Sequence, residues 1–281
     1  MEITPWTFEE ADRYRETADT EIRRLIALKS YGLMPGIPKN LNVIFANNEL
    51  NISISQVEGV APSGQLLQIA GDSVSLAPPR DKGRECYLVV HADGEIEQEI
   101  NHVFFQSPRY TYDFCSFSEI DENCLPFAKL INEGNSWKIQ ELYIPPCIAL
   151  SSDPELLSIF DTVCSSFKTI LLQLSPLVSS NERLLLTFLE AEFDDLQKTD
   201  TPLLFYKTIR RAVIVLASFR LPQKTLPSTP VFEPFNNNDI LKSLSPLTLF
   251  FEQYVTALSL EEKVSPKKEE PVDYVEWDAE L

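Results

Sequence analysis

The sequence predicts an α+β chain in which an antiparallel β-sandwich is preceded by a long helix and followed by a four-helix bundle. Three observations predict it. From about residue 41 to 144, apolar and polar residues alternate with a period of two. From about residue 152, apolar residues recur at threes and fours. No helical segment separates the strands, so the continuous βαβ alternation of a Rossmann-type sheet is absent.

The first element is an amphipathic helix over residues 7–33. Thr7 and Glu10 fit a capping box, in which a hydroxyl and a carboxylate satisfy free amides of the first turn. Phe8, Ala11, Ala18, Ile22, Leu25, Ile26 and Leu33 trace a stripe at helical spacing, and Gly32, Pro35, Gly36 and Pro38 end it.

Strands follow at close spacing. Leu41, Val43 and Phe45 alternate with polar neighbours, as do Ile52 and Ile54. The runs "GQLLQIA", "CYLVVHA", "EIEQEINHVFF", "RYTYDFCSF", "LPFAKLIN" and "SWKIQELYI" continue the pattern. Turn signals sit between them at Asn47-Asn48, Pro62-Ser63-Gly64, Gly71-Asp72, Pro78-Pro79, Asp93-Gly94 and Glu133-Gly134-Asn135. Many short strands without intervening helices predict a sandwich or barrel.

Pro145-Pro146 breaks the last strand. Ser152-Asp153-Pro154-Glu155 then starts a helix, with a cap and a proline at the first helical position. Leu156, Phe160, Val163, Phe167, Ile170 and Leu174 mark its buried face. A second helix runs from Ser179, where Glu182 closes a capping box, to about Gln197. A third runs from Thr201-Pro202 to about Phe219. After a proline-punctuated loop, a fourth runs from about Asn238 to Leu260. The final stretch, 263–281, is charged, with six acidic residues and no basic one from Glu269 on. Tyr274, Val275 and Trp277 within it read either as a short docking motif or as stray aromatics in an unstructured end. The map is therefore a helical arm over 1–40, a β-sandwich over 41–148, a helical bundle over 149–262 and an acidic tail over 263–281.

Chemistry is sparse. The net charge of −18 opposes nucleic-acid binding, which needs a surface that replaces phosphate counterions. It also disfavours anionic membranes, and no apolar run is long enough to insert directly into one. Residues 1–8 lack the apolar run of a secretory signal. The five cysteines, Cys86, Cys115, Cys124, Cys147 and Cys164, contain no CxxC and read as reduced thiols of a cytoplasmic protein.

No phosphate-cradling glycine loop and no HExxH occur. His91 and His102, both in strands, read as ordinary strand residues. Cys86 and Cys115 are conceivable thiols for a histidine, but nothing in the sequence pairs them. Glu190, Glu192, Asp194 and Asp195 read as a solvated helix face, since no histidine accompanies them as a metal site would want. Asp121-Glu122-Asn123 reads as a polar turn, not a calcium loop. No catalytic, metal or cofactor site is expected. The positive features are apolar: Leu184, Leu185, Leu186, Phe188 and Leu189 on the second helix, and "RRAVIVLASF" on the third. They admit two readings, packing within one chain or packing between subunits.

The segment "YIPPCIALSSDPELLSIF" resembles the strand-to-helix junction of the TssK family, baseplate subunits of bacterial type VI secretion systems. Ile144, Pro145, Pro146 and Cys147 carry the likeness. Tyr31-Gly32-Leu33 resembles the family's turn after its N-terminal helix, and Gly59 to Gly64 its G-x-x-P-D-G hairpin, with Ser63 for Asp. "PFNNNDILKSLSPL" resembles the family's P-Y-D-H-D-D-L segment. Pro234, Phe235 and Asp239 fall in register, and Asn237 stands where the family usually has His.

The resemblance implies a homotrimer whose β-sandwich resembles the shoulder of phage receptor-binding proteins. It implies a helical neck that associates three subunits. It implies attachment to TssF-like and TssG-like wedge proteins and an assembly on the cytoplasmic side of the inner membrane. The partner on the membrane side is unspecified, because the sequence ends about where the family's C-terminal head begins. The family's N-terminal P-Q-H-F-Q segment is not visible either, so Trp6 and Phe8 are the candidates for the wedge contact. The expected role is structural and non-enzymatic, with no cofactor. Its rivals are a receptor-binding or tail-fibre-like module of a phage-type particle and an enzyme assembled from scattered carboxylates or Cys86 and His91.

Overall fold

The computed structural model describes residues 31–260, apart from 37–39, 47–48, 78, 80–82, 101–102, 135–136 and 222–223, together with residues 15, 18, 19, 22 and 23. The Thr7–Glu10 cap, the Asn47-Asn48 turn and the acidic tail lie outside the described residues.

Among the described residues, eight strands form two antiparallel sheets, and four helices follow. The strands are β1 (Gly32–Leu33), β2 (Asn40–Ala46), β3 (Glu49–Val60), β4 (Leu66–Leu76), β5 (Glu85–Ile100), β6 (Val103–Cys115), β7 (Cys124–Asn132) and β8 (Trp137–Ile139). In the first sheet β4 pairs with β3 along one edge, while β2 and β1 share the other edge in tandem. The second sheet has the order β6-β5-β7-β8.

Alternation places Leu50, Ile52 and Ile54 of β3 inward, with Leu67 and Ile69 of β4, against Leu88, Val90, Phe114, Leu125 and Phe127 of the second sheet. Two tyrosines tie the sheets together. The Tyr110 hydroxyl accepts from the Gln68 amide (2.8 Å), and the Tyr112 hydroxyl donates to Asp72 Oδ2 (2.6 Å). Residues 86–90 are all buried because β5 is covered on both faces. One face joins the main core. On the other, Tyr87, Val89, Cys115, Cys124 and Tyr143 form a small second cluster.

Several sequence expectations need correction. Gly71-Asp72 and Asp93-Gly94 are not turns but lie within β4 and β5. The β3–β4 ladder passes Gly71 with its register intact, Ile54 opposite Asp72 and Gln56 opposite Ala70. A bulge between Ala92 and Glu95 absorbs the second pair. Bulges and turns draw on the same Gly and Asp residues, so composition does not separate them. Of the described residues 137–144, only Trp137–Ile139 is strand. Residues 15, 18, 19, 22 and 23 are helical, but the helix does not reach 33, because Gly32 (φ 128°) and Leu33 form β1.

The helices are α1 (Pro154–Leu174), α2 (Ser180–Asp194), α3 (Pro202–Ser218) and α4 (Ile240–Ser259). The first three begin at the expected caps, and α4 begins at Ile240 behind Asp239 rather than at Asn238. Asp153 Oδ1 accepts from the amides of Glu155 (2.9 Å) and Leu156 (3.3 Å). Ser179 and Glu182 close their box, and Thr201 accepts from Leu204 N at 3.2 Å.

All six predicted inward residues of α1 are buried. Aromatic rings interlock the four helices. Phe167 of α1 stacks on Phe193 of α2 at 3.9 Å, Phe251 of α4 packs edge-on to Phe167, and Phe160 of α1 meets Phe205 of α3 at 5.4 Å. Tyr254 of α4 donates to the Leu216 carbonyl of α3 at 3.1 Å. Among the described residues, no helix is long and apolar enough to cross a membrane.

Candidate functional site

The motifs singled out in the sequence converge on one place, where the sheets pass into the helices. β1 is the wedge. Leu33 N donates to the Pro146 carbonyl (2.8 Å), and Ile148 N donates to the Leu33 carbonyl (3.0 Å). On its other side β1 pairs with Gly59 and Val60 of β3. Ile144, Pro145, Pro146 and Cys147 are all buried there, and the Cys147 thiol donates to the Pro145 carbonyl at 3.2 Å.

The start of α4 closes the junction from outside. Tyr31 donates to Asn238 Oδ1 (2.7 Å), and Asn237 Nδ2 returns a bond to the Tyr31 carbonyl (3.0 Å). Tyr143 donates to the Asn238 carbonyl (3.1 Å). Asp239 caps α4 through Lys242 N (3.2 Å) and also pairs with Lys129 of β7 at 3.4 Å. Lys129, whose side chain is only 9% exposed, pairs with Glu85 too (3.0 Å) and lies over the Tyr87 ring.

Burial pulls the Lys129 pKa down, but the Glu85 carboxylate, Tyr87 and Asp239 outweigh it and leave it raised. Burial is the main cause that pushes the Tyr143 and Tyr31 hydroxyls up. Pro234 is exposed and Phe235 half-buried against Tyr206. Trp6, Phe8, Tyr274, Val275 and Trp277 lie outside the described residues.

A second feature is an uncovered apolar face. On α2, Leu186 and Leu189 face the core, while Leu184, Leu185 and Phe188 are 57, 44 and 63% exposed. Leu172 and Leu177, before α2, are exposed as well. Glu192, from the acidic run, pairs with Arg211 of α3 at 3.3 Å.

The structure also assembles a group that the sequence does not reveal. His91 lies opposite Cys124 across the β5–β7 ladder, and Asp121 sits in the turn before β7. One donor atom from each falls within 4.8 Å of the others. Cross-strand register was the missing signal. Cys86 is not the partner of His91, because it points into the main core. His91, Asp121 and Cys124 have the residue types of a cysteine nucleophile with its base. Burial, however, pushes the fully buried Cys124 thiol up to about 12, the opposite of what a reactive thiolate needs.

These features define an α+β protein of two antiparallel sheets locked to four helices through a dense junction, with an apolar helical face left open. No family model matches the sequence, and no curated protein matches it. Solved structures do match in fold, TssK structures among them. A crystal structure of TssK superimposes with a TM-score of 0.58 at 15% identity, over 93% of this chain and 69% of that one. TssK from the EAEC type VI secretion system, bound to a nanobody, gives 0.64 at 13% identity, over 89% and 69%. A TssK–TssF–TssG baseplate subcomplex gives 0.61 at 13% identity, over 92% of this chain and 96% of that one. The fold is TssK-like, as the sequence motifs imply.

Proposed function

We propose that this chain is a structural, non-enzymatic component of a type VI secretion baseplate. The observation that carries the reading is the likeness in fold to TssK over about nine-tenths of this chain, including TssK within a TssK–TssF–TssG subcomplex. In this reading residues 41–148 form a β-sandwich shell that meets TssF-like and TssG-like wedge proteins. Residues 149–262 form a four-helix neck bundle that holds three copies together through the α2 face of Leu184, Leu185 and Phe188. The arm before residue 41 carries Trp6 and Phe8 toward the wedge. The tail carries Tyr274, Val275 and Trp277 toward a membrane-side partner, and the whole assembles on the cytoplasmic side of the inner membrane.

The physical support is the cost of leaving Leu184 and Phe188 in water. Full burial of such side chains is worth about 1.5–3 kcal/mol each. Co-expression with the TssF-like and TssG-like proteins of the same source tests the wedge contact. A stable co-purifying complex is expected, and separate elution of this chain at every concentration would contradict the reading.

A further inference from the structure

We propose that His91, Asp121 and Cys124 form a binding site for a single Zn²⁺ ion. The three donors come from separate places: β5, the turn before β7, and the first residue of β7. The ladder sets His91 directly opposite Cys124, so two of the donors are fixed by backbone pairing. The turn fixes the third. Asn123 N donates to Asp121 Oδ1 at 2.8 Å, and Ser63 N of the neighbouring hairpin braces the turn at the Glu122 carbonyl, 2.7 Å.

Spacing fits an ion. Donors about 2.0–2.3 Å from one tetrahedral Zn²⁺ lie about 3.3–3.8 Å apart, so atoms within 4.8 Å of one another close on the ion by side-chain rotation of up to about 1–1.5 Å. Chemistry fits as well. Imidazole, thiolate and carboxylate together suit a borderline-soft divalent ion better than Mg²⁺ or Ca²⁺, which want oxygen alone. The Cys124 thiol makes a long contact, 3.5 Å, to the Asp121 carbonyl and also meets the Asp121 side chain. With three protein donors, water or a further residue completes the tetrahedron.

The exchange is simple. The Cys124 S–H bond breaks, its proton goes to solvent and a sulfur–zinc bond forms, with no change of oxidation state. The ion then clamps β5 to the turn that also braces the Pro62–Gly64 hairpin of the other sheet. The inference is independent of the baseplate reading.

The test uses the untagged full chain, titrated with Co²⁺ and then Zn²⁺. One Co²⁺ per chain is expected, with a thiolate-to-cobalt charge-transfer band that Zn²⁺ abolishes. Zn²⁺ should raise the melting temperature, since it binds only the assembled site. Cys124→Ser should remove the band. Should that variant misfold, His91→Gln and Asp121→Asn, at half-exposed and exposed positions, carry the test. Each should weaken binding by more than about tenfold, since even an outer-shell partner costs that much. Cys164→Ser should change nothing. A stoichiometry well below one, no charge-transfer band, or affinity unchanged in His91→Gln and Asp121→Asn would overturn the site.

Discussion

Gly32 holds β1 where no other residue fits. A Cβ there would lie 2.0 Å from the carbonyl carbon and oxygen of Pro146, on a backbone with φ of 128°. Gly36 also has a positive φ, 90°, but nothing lies within 4 Å of its Cβ position. Gly36→Ala should therefore cost about 1–2 kcal/mol, the backbone penalty alone. Gly32→Ala should cost at least about 3 kcal/mol, because either β1 or the Pro146 segment must move. Urea denaturation of the two variants separates them, and equal losses would contradict the wedge.

Tyr143 adds a pH signature. Its folded pKa is raised well above 10.0, so its stabilising contribution is complete below about pH 10 and is lost as pH rises beyond it. Tyr143→Phe should cost about 1 kcal/mol at neutral pH through the lost bond to Asn238. It should also flatten the alkaline fall in the urea midpoint. The raised Tyr31, Tyr87, Tyr110, Tyr112, Tyr254, Cys124, Cys164 and Lys129 leave a remainder of the same sign. An alkaline limb identical to the parent's would contradict this burial. In the sequence Gly32 and Pro146 read as punctuation. Their contact could not be read, because it joins chain segments far apart.

Elements were legible where their signals are local. Asp153-Pro154, Ser179 with Glu182 and Thr201-Pro202 each start a helix as expected, because a cap acts within one turn. Strand ends were less legible, since Asp93-Gly94 reads as a turn until the pairing of β5 with β6 is known. On α2 the apolar run was visible, but its division into Leu186 and Leu189 inside and Leu184 and Phe188 outside follows from the packing of α1 and α4. Leu184→Glu with Phe188→Glu should leave the single chain folded and cooperative, with a melting temperature lowered only by the loss of self-association. The same pair should abolish self-association in light scattering. Loss of folding in the double variant would place these side chains in the chain's own core instead.

At the scale of the molecule, one continuous core runs from Leu50 and Ile52 through Leu33, Cys147 and Leu150 into Phe167 and Phe251. The sheets and helices therefore share one core, which in the proposed baseplate reading would let the chain act as a single rigid part. In the proposed reading, the charge of −18 opposes non-specific association, and the apolar face of α2 is the surface that would meet other copies. Removing residues 263–281 should leave that association intact, since the face lies on α2. The most direct test of the account is the solution mass of the purified chain by light scattering. The account predicts a species near three times 32.0 kDa that Leu184→Glu with Phe188→Glu reduces to one. A mass of 32.0 kDa at every concentration would contradict it.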